Sequence, residues 1–438
     1  MSRRTLVIVV GSLALLLALT PFVPHGSDDA GLRPSGTKEG QLRAARTAGF
    51  SQVTPAARAE IERVVAAGRT VGRVSGKVAP DQLAASLVRC AEFEGQRYCL
   101  GTGWTEDSEA QVQARVATAA RIAVARAGDG VVNTGDLDPA AALLREARMS
   151  PAARAEADRA ELTMAARSVA KVWLLRHEIE GVPLPPDFLE NHPEARADVP
   201  ATTQVGATPN TASPTKSPTK SPTKSPTKSP TRTPSPTPHP SDSPVKTAAD
   251  YPARDTVLDP DDVAEQTEYY WCGPTSMQMI VWGWRHKRQK QSWWAHRLNT
   301  TTSGTSVYDM VRVVNQSTGW DKPSHAGPYI VLDIGHYSFS KWMLLMMRHI
   351  HDYRAPVVLH PILLKRYYPY LDDDASGHYQ VGRGYAKRGS KPDELGYFEP
   401  WNQQRFDPSE PYIDRVQWRD AYKSYRANQA HYAHNVGV

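Results

Sequence analysis

The stretch of sequence that decides the fold runs from Gln266 to Ile280 and reads QTEYYWCGPTSMQMI. Cys272 is followed at once by Gly-Pro, and Pro274 suits the first turn of a helix. The apolar residues that follow are spaced three and four apart: Met277, Ile280, Val281 and Trp284. This spacing predicts one buried face of a helix that begins at Cys272. A helix N-terminus stabilises a thiolate, so we expect the pKa of Cys272 to be lowered.

Cysteine usage leaves the role of Cys272 open between two interpretations. The chain has only three cysteines in 438 residues. Cys90 and Cys99 bracket a turn at Gly95, which predicts a disulfide; a metal site is the alternative, but no His or further Cys lies nearby. Cys272 is then unpaired, either as a small buried side chain or as a nucleophile, and the cysteine count does not separate the two.

A nucleophilic cysteine needs a base, and His378 in SGHYQVGRGY is the best candidate. Apolar or aromatic residues alternate with polar or small ones after it, which predicts a strand that begins near His378. The other histidines have plainer interpretations. His360 lies in APVVLHPIL, which is typical of a core strand, and His349 and His351 suit an exposed or interface helix.

The remaining groups for acyl transfer also have candidates. Glu399 and Asn402, in GYFEPWN, are alternatives for the acceptor that orients the imidazole. The main-chain N–H of Cys272 and the side-chain amide of Gln266 are candidate donors to a tetrahedral oxyanion.

These residues, in this order, resemble the papain-like cysteine peptidases of the bacteriocin-leader-processing (double-glycine) type, and most of all its stand-alone secreted relatives. The resemblance covers about 250–407 and implies an α+β peptidase domain at 250–438, with helices packed on an antiparallel sheet. It implies that Gln266 is the oxyanion-hole residue, Cys272 the nucleophile and His378 the base. Glu399 takes the position of the family's Asp, a departure that lengthens the side chain by one methylene.

The N-terminal half has a different composition. From 51 to 193 it is rich in Ala, Arg and Glu with helical periodicity, which predicts an all-α helical domain that carries the disulfide. Thr54, Asp138 and Ser150 each precede a proline and predict capped helix starts. This domain has three candidate roles: a pro-region that masks the cleft, a partner-binding module or a spacer.

Two further segments bear on location. Residues 1–28 contain Arg3, Arg4 and an apolar run, which predicts a cleaved signal peptide or, if uncleaved, a membrane anchor. Residues 201–249 contain repeated Ser-Pro-Thr-Lys units and predict a disordered linker. We therefore expect a secreted or cell-surface protein.

Composition narrows the function classes. The net charge is +6, but no nucleic-acid motif accompanies it, so an anionic surface such as a cell-wall polyanion is the better partner for the basic linker. No metal-ligand spacing and no phosphate loop is present, and we expect neither a cofactor nor a metal. The leading prediction is a secreted cysteine peptidase acting on a peptide or protein, with amidase or transpeptidase activity as variants. The alternatives are a non-catalytic peptide-binding or wall-associated adhesion protein on the same scaffold, and a structural helical protein.

Overall fold

A computed structural model of the chain describes residues 31–36, 50–73, 78–126, 131–197, 246–286, 288–318, 328–409 and 411–438. The predicted signal segment 1–28 lies outside the described residues, and so does the predicted linker up to residue 245. Among the described residues, no helix is both long and apolar enough to cross a membrane.

The N-terminal half consists mainly of helices, and three of the described helices start at the predicted caps. Side-chain oxygens of Thr54, Asp138 and Ser150 accept hydrogen bonds from main-chain N–H groups three residues on, and a proline occupies the next position in each case. The helices are α1 Pro55–Arg69, α2 Pro80–Leu87, α3 Glu109–Arg126, α4 Pro139–Arg148, α5 Pro151–Ala166, α6 Val169–Leu175 and α7 Phe188–Asn191, with a π-helical turn at Arg176–Glu180 and a 3-10 turn at Pro193–Ala197.

The prediction that this half is all-α is wrong around the disulfide. Three strands form there: β1 Cys90–Phe93, β2 Gln96–Cys99 and β3 Gly103–Thr105. Glu94 and Gly95 both have positive φ angles (51° and 78°), as a two-residue hairpin turn of type I′ requires. Cys90 and Cys99 are paired across this hairpin and form the predicted disulfide.

The C-terminal half alternates helices and strands. Its strands are β4 Arg254–Thr256, β5 Val331–Asp333, β6 Val357–Leu359, β7 Gln380–Ala386, β8 Glu394–Phe398, β9 Val416–Asp420 and β10 Asn435–Gly437. Its helices are α8 Cys272–Arg285, α9 Gln291–Arg297, α10 Val307–Thr318, α11 Phe339–His351, α12 Gln403–Phe406 and α13 Ala421–Ala430, with 3-10 turns at Ala248–Asp250 and Pro260–Asp262.

One sheet runs through both halves. Its order is β1-β2-β3-β5-β10-β6-β7-β8-β9, and β4 pairs with β7 beside this path. Pairing is antiparallel except between β3 and β5, where Trp104 of the hairpin region meets Leu332. The main apolar core also takes residues from both halves, including Trp104 and Trp342. The helices of 51–193 are therefore attached to the same sheet that carries the C-terminal site.

Candidate active site

Helix α8 places Cys272 at its first residue, as the sequence predicts. The whole helix from Cys272 to Trp284 is buried, because its apolar face packs into the core and its other face is covered as well. Gly273 is required beside it, since a Cβ there would lie 2.7 Å from the Thr305 hydroxyl oxygen. The core helix thus fixes the main chain that carries the sulfur.

The thiol of Cys272 is fully buried, and this overturns the expectation of a lowered pKa. Burial raises the pKa of Cys272 well above its usual value. Hydrogen bonds from the main-chain N–H groups of Tyr379 and Gly273 act in the opposite direction but are outweighed. The free-energy cost of removing a thiolate from water exceeds the stabilisation that the helix N-terminus and these two donors provide.

His378 lies two residues before β7 and bonds to Glu399, which directly follows β8. The His378 Nε2 atom is 2.8 Å from Oε1 of Glu399, and both side chains are fully buried. The Nδ1 atom of His378 is buried and has no hydrogen-bond partner among the described residues. Tyr379, the next residue, donates its N–H toward the Cys272 sulfur and accepts from Ser276 of α8 (3.4 Å). The imidazole is therefore oriented from one side and left open at the other nitrogen, and the main chain of the next residue contacts the thiol.

Glu399 is held from several directions besides His378. Its Oε1 accepts from the Trp401 N–H (2.9 Å), and its Oε2 accepts from Gln380 Nε2 (2.6 Å). The Tyr370 hydroxyl lies 3.5 Å from Oε2. Burial opposes ionisation of Glu399, but His378 and the other donors outweigh it and lower its pKa.

Sequence reasoning quoted Gln380 without giving it a role. Alternation along a strand places His378 and Gln380 on one face, so the spacing of two was a usable signal. Asn402, the alternative orienting residue, directly precedes α12, and its carbonyl accepts from the N–H groups of Arg405 and Phe406. Among the hydrogen bonds of the described residues, none joins Asn402 to His378. The geometry favours Glu399 as the acceptor.

Gln266 lies near Cys272 in sequence, but its amide is engaged. Its Nε2 donates to the carbonyls of Glu268 (3.1 Å) and Tyr269 (2.8 Å). Its Oε1 is buried without a partner among the described residues. An oxyanion-hole role for Gln266 therefore requires these two bonds to open when substrate binds.

Residues 260–430 match the family model Peptidase_C39 like family. This match, over a minority of the chain, supports a C39-like, papain-type peptidase domain here. It includes Gln266, Cys272, His378 and Glu399. No curated protein and no solved structure matches the chain.

A segment from the N-terminal half, residues 132–138, lies across the C39-like site and is called the covering segment below. Gly135 is at its centre. A Cβ on Gly135 would lie 2.8 Å from the Cys272 sulfur and 2.6 Å from the Tyr270 carbonyl oxygen. Its φ of +117° also favours glycine. The covering segment is therefore part of what buries the thiol.

The main chain of the covering segment is bonded on both edges. On one edge, Thr305 N–H donates to Gly135 O (2.9 Å), and Leu137 N–H donates to Thr305 O (2.9 Å). On the other edge, Asp136 N–H donates to Gly377 O (3.4 Å), and Ser376 N–H donates to Val132 O (3.2 Å). The segment thus lies between two walls of the cleft and is hydrogen-bonded to each.

Asp136 extends from this segment into a buried pocket formed by His360, His431 and Tyr379. Its Oδ2 is 2.9 Å from His431 Nε2. Its Oδ1 is 2.9 Å from His360 Nε2, which is an ion-pair distance, but the two atoms are not aligned for a hydrogen bond. The same Oδ1 is 3.2 Å from the Tyr379 hydroxyl. Burial opposes ionisation of Asp136, but His360 and His431 outweigh it and lower its pKa.

The same three side chains bring ligand-type atoms close enough for a metal ion. The hydrogen bonds argue against it at His431. Its Nδ1 accepts from the Ala433 N–H (3.1 Å), so the proton of the neutral ring is on Nε2. That atom therefore donates to Asp136 and offers no lone pair to a metal. The arrangement is suited to holding a carboxylate.

Sequence reasoning missed this pocket. It interpreted His360 as part of a core strand and gave His431, in the C-terminal tail, no function. It did not consider Asp136, although the nearby Asp138 was predicted to cap a helix and caps α4. No sequence motif joins positions that are 224 and 295 residues apart, as the numbering of Asp136, His360 and His431 shows.

Proposed function

We propose that the C39-like domain is a cysteine peptidase in which Cys272 is the nucleophile, His378 the base and Glu399 the residue that positions the imidazole. The family match supports peptidase chemistry. The single observation that carries the residue roles is the buried His378–Glu399 hydrogen bond of 2.8 Å, which orients the imidazole and leaves its Nδ1 without a partner among the described residues.

The proposed reaction is acyl transfer to water. His378 Nδ1 takes the thiol proton, and the Cys272 sulfur attacks the peptide carbonyl carbon. Negative charge develops on the carbonyl oxygen. The N–H groups of the first turn of α8 are proposed to donate to it, because they have no acceptor within the helix. The imidazolium then protonates the leaving amine. Water, deprotonated by His378, releases the acyl group and restores the thiol.

Glu399 acts through His378. Its carboxylate fixes the ring orientation and stabilises the imidazolium that forms during the reaction. Gln380 and the Trp401 N–H hold the carboxylate in place, so the longer side chain of Glu occupies a defined position. Gln266 is proposed as the second oxyanion donor once its bonds to the Glu268 and Tyr269 carbonyls open.

We also propose that the chain acts outside the cytoplasm. The Cys90–Cys99 disulfide and the charged-then-apolar sequence of residues 1–28 support this. The proposed partner is a peptide or protein substrate. Attraction of the basic linker to a wall polyanion is a further proposal, supported by its repeated lysines.

The test uses a chain with an accessible thiol. Gly135→Ala places a Cβ 2.8 Å from the Cys272 sulfur, so we expect it to displace the covering segment. Once iodoacetamide labelling has established that Cys272 is accessible, this chain is given a peptide library, and products are read by mass spectrometry. We expect cleavage that disappears in Gly135→Ala/Cys272→Ala. A labelled thiol with no cleaved or transferred peptide contradicts the proposal and favours a peptide-binding protein.

The products also separate the enzyme variants. Hydrolysis gives a free carboxylate, whereas transpeptidation joins the acyl group to an added amine. Hydrolysis of a side-chain amide leaves the peptide backbone intact and marks an amidase.

A further inference from the structure

The covering segment lies in the cleft as a bound peptide would lie. It has main-chain hydrogen bonds to both walls, and it passes where those walls lack side chains. A Cβ on Gly304 would lie 2.2 Å from the Asp136 carbonyl oxygen, and one on Gly377 would lie 2.4 Å from Asp136 Oδ2. Glycines at both points allow a peptide backbone to approach closely.

We propose that residues 132–138 are an internal occupant of the substrate groove, and that His360, His431 and Tyr379 form a subsite for an acidic side chain of substrate peptides. This inference rests on the proposed peptidase function. It deepens that function by naming the substrate class: peptides with a glycine over Cys272 followed by Asp or Glu.

The subsite is preorganised for a carboxylate. Asn435 Nδ2 donates to the Thr102 carbonyl (2.8 Å), so Asn435 Oδ1 is the acceptor for His360 Nδ1 (2.7 Å). This bond places a proton on Nδ1 and fixes the His360 ring with Nε2 toward Asp136. A carboxylate is favoured there when Nε2 carries the second proton, because the charge of His360 then stabilises the ionised Asp136. The His360 ring also stacks on Tyr379, with centroids 4.6 Å apart and planes inclined by 14°.

A neutral amide fits this subsite less well than a carboxylate does. An Asn side chain presents one oxygen and one NH₂ group. The oxygen can accept from His431 Nε2 or from the Tyr379 hydroxyl. The Tyr379 hydroxyl can accept from the NH₂ group while its own proton goes to the Thr305 carbonyl (3.0 Å), so what the amide lacks is the charge attraction between a carboxylate and the two imidazoles.

The pocket is continuous with space for the rest of a peptide. A cavity of about 970 Å³ reaches Asp136 and His431 and continues along α3, where Ile122 and Val124 are exposed. A peptide entering by this route meets the covering segment before it meets the thiol. The subsite is therefore reached only after Asp136 leaves it.

The rate at which iodoacetamide alkylates Cys272 measures how often the covering segment leaves the thiol exposed. Cys272 is the only free cysteine because the other two form the disulfide. We expect slow labelling of the intact chain and labelling at least tenfold faster in Asp136→Asn. The matched control is Asp81→Asn, which makes the same chemical change at an exposed ion pair with Arg121, and it should label at the rate of the intact chain. Equal labelling rates in Asp136→Asn and the intact chain would contradict the proposal that residues 132–138 occupy the substrate groove.

A second variant covers the case in which Asp136→Asn fails to fold. Tyr379→Phe removes only the hydroxyl that faces Asp136 and Thr305 and keeps the ring against His360. Faster labelling than in the intact chain is expected, with unchanged circular dichroism. An unchanged rate in this folded variant counts against the inference.

The acid preference is tested with peptides. The double variant Gly135→Ala/Asp136→Ala is incubated with the peptide of residues 131–138, and with the same peptide carrying Asn at the position of Asp136. We expect the Asp peptide to slow alkylation of Cys272 at a concentration at least tenfold lower than the Asn peptide. Equal protection by the two peptides overturns the acidic subsite.

The same samples separate the two proposals. Mass spectrometry of the peptides reports cleavage. Protection by the Asp peptide with no cleavage leaves the acidic subsite standing and contradicts the peptidase. Cleavage of both peptides without preference supports the peptidase and contradicts the acidic subsite.

Discussion

Two buried histidine–carboxylate arrangements share one cleft, and they are built differently. In the first, Glu399 meets His378, both lie in the C39-like domain, and the other ring nitrogen has no partner among the described residues. In the second, Asp136 meets His360 and His431. There the second nitrogen of each ring is occupied, by Asn435 and by the Ala433 N–H.

The difference indicates what each arrangement does. A histidine with one nitrogen held and one open is suited to exchange a proton with a third group. A histidine whose second nitrogen is bonded to the protein is suited to hold a ligand in one orientation. The carboxylate differs as well, because Glu399 is fixed by its own domain and Asp136 arrives on a remote segment. One arrangement is proposed to carry the reaction and the other to carry recognition.

The largest effect on catalysis should come from replacing His378, whose Nδ1 atom has no partner among the described residues. In the Gly135→Ala chain, His378→Gln should lower kcat by at least about 10³-fold, because the thiol then lacks its base. Peptide cleavage measured under substrate saturation tests this. His360→Gln in the same chain is the comparison, and we expect its kcat to stay within tenfold. A kcat that is insensitive to His378 would remove the distinction between the two histidines.

Glu399 should come next. Glu399→Gln keeps the shape but places an NH₂ group or a neutral oxygen against Gln380 and His378, and we expect kcat to fall by about 10²–10⁴-fold. Glu399→Asp should recover part of this loss, which a merely structural residue would not require. Asn402→Ala is the control, with an expected loss under tenfold. A larger loss in Asn402→Ala than in Glu399→Gln would exchange their roles.

The second arrangement should be visible in the pH dependence of stability. Burial and the neighbouring His360 lower the pKa of His431 to about 4, against the opposing effect of Asp136. Between pH 6.5 and 4 the unfolded chain binds more protons at this residue than the folded chain does, so the free energy of unfolding falls as pH falls through this window. His431 should account for about 2 kcal/mol between pH 7 and pH 5.

Urea unfolding at the two pH values measures this difference. In His431→Gln the loss of stability between pH 7 and pH 5 should be smaller by about that amount. The control is His336→Gln, at an exposed histidine whose pKa is raised by its hydrogen bond to Asp107. That variant should not reduce the loss. An identical loss in His431→Gln and the intact chain would mean that His431 is not held as the geometry indicates.

The smallest effect concerns selectivity. In the Gly135→Ala/Asp136→Ala chain, His431→Gln should raise KM for a Gly-Asp peptide by about tenfold, since one charge-assisted donor is lost. The kcat should change little, and KM for the matching Gly-Asn peptide should stay within twofold. Equal increases for both peptides would assign His431 to general packing of the groove.

Local sequence patterns predicted the start of α8 at Cys272 and the position of His378 just before a strand. Helical spacing and strand alternation are short-range properties of the chain, so they can be read without a structure. The disulfide was predicted, but the hairpin that carries it was not. Residues 90–99 were assigned to the helical region because the Ala-rich sequence around them has helical periodicity. The hairpin's Glu94–Gly95 turn between two cysteines was the missed signal.

The burial of the thiol could not be predicted in the same way. It depends on Gly135, which lies 137 positions before Cys272 in the numbering. The pKa expectation considered the helix N-terminus alone and left out what covers it. The acidic subsite likewise combines a segment of the N-terminal half, the end of β6 and the C-terminal tail. A masking pro-region was among the three roles considered for 51–193, and the covering segment belongs to that region.

The parallel pairing of β3 with β5 has a kinetic consequence for the covering segment. Because the N-terminal half is part of the same sheet, the occupant is tethered to the groove and is present at an effective concentration on the order of millimolar. Dilution cannot release it. Exposure of Cys272 should therefore be a first-order event of the single molecule, with a labelling half-time that stays constant as the protein is diluted.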